Sequence, residues 1–305
     1  MLQSIHLQGF KGFKDTEVGP LRKVNLILGG QNVGKTSLLE AIHLTVITGG
    51  YFPFRSNEGN DAQRFAFSVF GDGFQSLEVN ASHDRSARLQ KINKPIPHGF
   101  RHAASGGAGN CAWLKSPNWI DIGVTPIPLF LPSQDELVRL FSEVSLSRKK
   151  RQLTDLLREV EPRLVSLDVA LPDGEHRIYV ELDGIDRALP LPQLGHGFGR
   201  LLYLYTSLLK ADAQLALIDE VENGIHYSAL PTLFQGIKLV AQERDVQTLM
   251  TTHSWDAIRA ACEVFEDTPE LFQVIRLERT DDNIKAVCID GERMLRLMAQ
   301  DMEVR

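Results

Sequence analysis

The chain predicts an α/β fold organised around a buried, largely parallel sheet, and three stretches carry that prediction. Residues 24–28 (Val-Asn-Leu-Ile-Leu) are mostly apolar and run straight into Gly-Gly-Gln-Asn-Val-Gly-Lys-Thr at 29–36, a G-x-x-x-x-G-K-[ST] pattern. Residues 215–218 (Leu-Ala-Leu-Ile) are apolar throughout and end in Asp219-Glu220. Residues 246–252 (Val-Gln-Thr-Leu-Met-Thr-Thr) read as a further strand and end at His253-Ser254. Continuous apolar strands imply burial on both faces, as in a parallel sheet. Ligands of open α/β sheets bind at the carboxyl ends of such strands.

The elements follow in order. Leu2, Ile5 and Leu7 alternate toward a core, Phe10-Lys11-Gly12-Phe13 makes a turn or bulge, and Thr16 to Val18 continues as strand. Residues 37–48 form the helix after the glycine loop, closed by Gly49-Gly50. Residues 65–70 and 74–79 read as a hairpin around Gly71-Asp72-Gly73. Residues 93–132 hold Pro95, Pro97, Pro117, Pro126, Pro128 and Pro132 and read as an irregular insertion. Ser133-x-x-Glu136 is a capping box that opens a helix with Leu137, Leu140, Phe141 and Val144 on one face. A second helix carries Leu153, Leu156, Leu157 and Val160 and stops at Pro162; Arg148-Lys149-Lys150-Arg151 between the two reads as a solvated corner, with a phosphate-backbone contact as the lesser reading. Residues 178–182 turn through Asp183-Gly184 as a further hairpin. The whole is expected to be one domain over 1–305: a β-rich lobe to about 95, the insertion at about 95–132, a helical arm at about 133–162 and a second lobe at about 177–305.

Composition excludes several classes. The 305 residues are 43% hydrophobic and 24% charged, as in a globular protein that buries a large core. A net charge of −6 gives no bulk case for nucleic-acid binding, although a local basic groove stays open. Cys111, Cys262 and Cys288 form no C-x-x-C pair and are expected as free thiols in a reducing cytosol. No stretch approaches the ~20 apolar residues needed to span a bilayer, and the N-terminus lacks a signal-peptide pattern. A cytoplasmic location follows as the expectation.

The motifs point to phosphate chemistry. Gly30, Gln31, Asn32, Val33, Gly34, Lys35, Thr36 and Ser37 form a glycine loop whose N–H groups cradle phosphates. Lys35 reaches the β- and γ-phosphates of ATP, and Thr36 and Asp219 hold Mg²⁺. Glu220 orients and deprotonates the attacking water. His253, at a strand-to-helix junction capped by Ser254, is placed to touch a γ-phosphate. Gly195-His196-Gly197-Phe198-Gly199 exposes backbone N–H groups at the start of another helix.

The order of these motifs, followed by Glu222-Asn223-Gly224-Ile225-His226 and Thr251-Thr252-His253-Ser254, resembles an ABC-type ATPase head of the SMC/RecF branch. It is most similar to the stand-alone ATPases of the OLD family. The turn at Lys11 and the closing stretch from Ile289 also match that pattern. The resemblance implies a homodimer that sandwiches two ATPs, with Gly195, His196 and Gly197 capping the partner's γ-phosphate, Asn223 and His226 at the seam, and Lys11 near the nucleotide. It implies control of a separate effector or a nucleic-acid partner, in phage defence or DNA maintenance. The signature serine has no counterpart at Gly195. Gln63, Gln75 and Gln90 all compete for the glutamine loop. Residues 255–305 leave no room for a Toprim nuclease. The rival reading is the nucleotide-binding subunit of a membrane transporter.

Overall fold

The computed structural model describes residues 1–46, 76–81, 85–92, 112–115, 124–127, 131–210 and 213–300. The chain begins with strands β1 (Leu2–Phe10), β2 (Phe13–Val18) and β3 (Val24–Leu28), followed by helix α1 (Lys35–Val46). Strands β4 (Ser76–Ala81), β5 (Arg85–Ile92), β6 (Ala112–Lys115) and β7 (Val124–Ile127) come next, then helices α2 (Gln134–Ser145) and α3 (Lys149–Arg158). Strands β8 (Leu164–Ala170), β9 (Arg177–Leu182) and β10 (Leu189–Pro190) lead to α4 (His196–Leu209). The last part runs β11 (Leu215–Ile218), α5 (Leu230–Arg244), β12 (Gln247–Thr251), α6 (Trp255–Val264), β13 (Phe272–Arg279), β14 (Ile284–Asp290) and α7 (Gly291–Ala299).

A six-stranded sheet in the order β14-β13-β3-β12-β11-β7 forms the centre. Its pairs are parallel except β13–β14. β3, β11 and β12 are buried at every residue, as the apolar runs of β3 and β11 predict; β12 is buried although Gln247, Thr248 and Thr251 are polar. Successive side chains go to opposite faces: Leu215 and Leu217 join α1, β1 and β2 in one core, whereas Ala216 and Ile218 join α2–α6 in the other. Two smaller antiparallel sheets, β2-β1-β4-β5-β6 and β10-β9-β8, flank this centre.

Several expectations need correcting. The stretch 93–132 contains strand as well as irregular chain: β6 joins the five-stranded sheet and β7 completes the central one. Pro126 suggested a break, yet it sits in an edge strand, where a missing N–H is tolerated. β4 pairs with β1 on one side and β5 on the other, so its hairpin partner is β5; residues 65–75 lie outside those described. The pair α2–α3 packs on the body of the molecule. Leu137, Leu140, Phe141, Val144, Leu153 and Leu157 are buried in the main core, with α2 and α3 packed on α4. Ser133 does cap α2, its Oγ accepting the Glu136 N–H at 3.3 Å. Three of the four basic residues open α3 instead of lying between helices. Lys149 donates to the Leu209 carbonyl, Lys150 pairs with Asp168 and Arg151 lies 3.9 Å from Asp155, so the fold itself uses much of that charge. Gly49-Gly50, Cys111, Gln63 and Gln75 lie outside the described residues, while Gln90 is on β5. Cys262 and Cys288 are free thiols.

Candidate active site

The phosphate loop joins β3 to α1, and glycine is needed where it turns. Gly34 has φ +95°, and a Cβ there would stand 3.0 Å from Phe13 and 3.1 Å from Ile284. Asn32 also takes a left-handed conformation, φ 57°, which Asn tolerates better than most residues. Gly30, Gln31 and Asn32 are exposed, Val33 is buried beneath them, and Ser37 lies in the first turn of α1. Lys35 Nζ donates to the carbonyls of Gly29 at 2.8 Å and Gly30 at 2.9 Å. Burial pulls the Lys35 ammonium below its usual value, and the carboxylates of Glu220, Asp219 and Glu222 oppose that effect. Lys35 therefore faces the acidic turn across the loop.

That turn follows β11. Thr36 Oγ1 lies 3.1 and 3.2 Å from the two carboxylate oxygens of Asp219. Thr251, the last residue of β12, donates its hydroxyl to Asp219 Oδ1 at 2.6 Å and accepts the Glu220 N–H at 2.8 Å. One hydroxyl thus sets the spacing of two neighbouring acids. Asp219 also donates its N–H to the Ile127 carbonyl of β7 at 3.0 Å. Glu220 has φ 45°, a left-handed backbone that a non-glycine residue adopts only when its surroundings hold it. The Thr251 contact and the Asn223 N–H on the Glu220 carbonyl, at 2.9 Å, supply that hold.

His253 comes next to the same carboxylates, with Nδ1 3.3 Å from Glu222 Oε1 and 3.8 Å from Glu220 Oε1. Ser254 caps α6 by accepting the Ala257 N–H. The structure therefore brings Lys35, Thr36, Asp219, Glu220 and His253 together. Thr36 and Asp219 offer only oxygen donors, one hydroxyl and one carboxylate, and a pair of protein oxygens completed by phosphate and water is the Mg²⁺ pattern.

The helix-start segment is placed differently. Gly195 caps α4 with φ 87° and open space around it. A Cβ on Gly197 would meet the Gly224 carbonyl at 2.9 Å, and one on Gly224 would meet His196 Nδ1 at 2.5 Å, so this segment packs on the turn at 222–225. Gly199, expected to expose its N–H, is buried and donates that N–H to the Gly195 carbonyl as part of the helix. Asn223 is half-buried in the same turn. His226 caps a short turn through Ser228, and its ring centroid is 4.3 Å from that of Tyr227. Lys11 is engaged by the buried carboxylate of Glu40 on α1 instead of the phosphate loop.

Sequence reasoning gave no role to Thr251, Glu222 or Arg200. Arg200, fully buried on α4, donates Nη2 to the Asp219 carbonyl at 3.3 Å. Burial lowers its proton affinity; Tyr203, Asp219 and Glu222 oppose this. Thr251-Thr252 and Glu222 stood in quoted motifs, but a side chain linking two strands is not visible in either segment alone.

Known proteins place this geometry. A model described as "AAA domain" matches residues 4–155, and one described as "AAA domain, putative AbiEii toxin, Type IV TA system" matches residues 129–260. A protein of Helicobacter pylori named ATP/GTP phosphatase is 22% identical over 330 residues, covering 88% of this chain and 89% of its own. The DNA replication and repair protein RecF of Lactococcus lactis subsp. cremoris is 22% identical over 257 residues, 73% of this chain and 67% of that one. Among solved structures, an Smc head bound to the C-winged helix domain of ScpA superposes with a TM-score of 0.62 at 12% identity, covering 97% of this chain and 99% of the other. The SMC head domain from Thermotoga maritima gives 0.54 at 14% identity, covering 94% and 98%. Two AAA-domain models thus match overlapping parts of the chain, which is similar in sequence to RecF and has the fold of an SMC head.

Proposed function

We propose that this ATPase works as a Mg²⁺-dependent switch, a single domain whose two copies close around ATP. The observation that carries the reading is the chain Thr36–Asp219–Thr251–Glu220, which sets a metal-type oxygen pair and a general base side by side above the phosphate loop. Lys35 and the loop N–H groups bind the β- and γ-phosphates. Thr36 and Asp219 would hold Mg²⁺, which supplies charge neutralisation across the phosphate oxygens when bound. Glu220 takes the proton of the attacking water, and His253 steadies the γ-phosphate.

The exposure of Gly195 and His196 at the mouth of α4, beside Asn223, supports pairing of two copies. These groups are open to a second molecule, with His226 further along the same seam. The output is control of a separate effector or of DNA. RecF among the relatives favours DNA maintenance, while a phage-defence role of the OLD kind rests on the sequence resemblance alone. No described helix is long and apolar enough to cross a membrane, and nothing in the comparisons points to a transporter subunit.

Light scattering on Glu220→Gln tests the switch. ATP should double its mass, and ADP should not. A monomer mass in both nucleotides would overturn the pairing.

A further inference from the structure

The His253 ring stands between two carboxylates that serve it unequally. Glu222 Oε1 accepts the His253 backbone N–H at 3.1 Å and also lies 3.3 Å from ring Nδ1. Glu220 Oε1 is farther, at 3.8 Å. The His253 side chain is 61% exposed and that of Glu222 only 11%, so an accessible ring is held by a buried anchor. Glu222 Oε2 is buried with no hydrogen-bond partner among the described residues, so no other donor competes for the carboxylate there. The guanidinium of Arg200 is within electrostatic reach of Glu222.

An ionised carboxylate can only accept hydrogen bonds. A proton on the ring atom facing it turns the 3.3 Å approach into attraction, which favours Nδ1–H and leaves Nε2 as the ring atom to meet another group. We infer that Glu222 is the positioning residue of His253: it orients the ring through backbone and Nδ1 together and directs Nε2 toward the reacting phosphate. Carboxylates do the same for metal-bound histidines by selecting a tautomer through the second nitrogen. The inference rests on the reading of His253 as the γ-phosphate contact.

Two measurements on the full chain test it. In nitrogen-15 spectra, with His253 identified by comparison with His253→Ala, Nδ1 should be protonated in wild type and in Glu222→Gln, whose amide oxygen still accepts. Glu222→Ala should shift the ring toward the Nε2–H form. In steady-state ATP hydrolysis, Glu222→Ala should lower kcat by about 10- to 100-fold with KM nearly unchanged. Glu222→Gln should recover most of that loss, and Glu222→Ala with His253→Ala should be no slower than His253→Ala alone. An unchanged tautomer in Glu222→Ala overturns the inference, as does a double variant whose losses multiply. If His253→Ala hydrolyses ATP normally while Glu222→Ala still shifts the tautomer, the anchor stands and the catalytic reading of His253 falls.

Discussion

The phosphate loop at 29–36 and the acidic turn at 219–222 meet at Thr36, yet different forces shape them. In the loop, Gly34 and Asn32 take left-handed backbone angles, and Phe13 and Ile284 press so close that a Cβ at Gly34 would have to push one of them aside by a little. Its binding groups are main-chain N–H donors plus one lysine. In the turn, the backbone at Glu220 is equally unusual, but side chains from other strands hold it: Thr251 bridges Asp219 and Glu220, and Glu222 holds His253. A site shaped by local backbone preference tolerates changes in its exposed side chains. A site shaped by a relay of side chains loses function when a link without chemistry of its own is removed.

That contrast can be broken most severely at its two charged ends. Lys35→Ala should abolish measurable ATP binding in a calorimetric titration, because the loop keeps its shape but loses its cation. Glu220→Gln should bind ATP as wild type does and lose about 10²–10⁴-fold in phosphate release, the range for one general base. Equal ATP affinity in Lys35→Ala and wild type would show that the loop does not hold phosphate. His253→Ala comes next, with a rate loss of about 10²-fold and ADP affinity unchanged, since ADP has no γ-phosphate. A parallel fall in ADP and ATP affinity would make the histidine structural.

Thr251→Val sharpens the comparison because it removes a relay hydroxyl and no reacting group. It leaves the Glu220 N–H without its partner, at about 1–3 kcal/mol, and takes one of two hydroxyls from Asp219 Oδ1, which keeps Thr36. The expected result is about a tenfold drop in kcat with ATP affinity retained, and normal turnover would remove Thr251 from the site. The smallest effects belong to the loop. Gly34→Ala should lower thermal stability by about 1–2 kcal/mol for its left-handed backbone alone. Gln31→Ala, a change to an exposed side chain, should stay within about 0.5 kcal/mol in a melting curve.

The same contrast explains what could be read from the residues in order. The strand, loop and helix at 24–46 are contiguous, so the motif and its structure coincide. β11 was legible from its unbroken apolar run and β12 from its place before His253-Ser254, and Ser133 and Ser254 as caps from spacing alone. The Thr251 bridge links residues 31 and 32 positions apart in the chain, and no periodicity reports such a pairing. β7 was hidden for a related reason. A proline-bearing stretch reads as loop unless one knows that it lies at the rim of a sheet, and the rim is a property of the assembled topology. The helices α2 and α3 were found with their apolar faces, but the faces alone did not say that α4 would cover them.

Pro126 has a consequence for how this molecule meets copies of itself. An open sheet edge is a template onto which a foreign strand can zip, and proteins blunt such edges to stay soluble. Here the outermost strand beside β11 is four residues long and carries a ring where one rung's donor would be. Strand addition at that rim is interrupted after at most a few bonds. Growth of the central sheet past β7 is thereby discouraged, and self-association on that side is left to surfaces other than the strand edge.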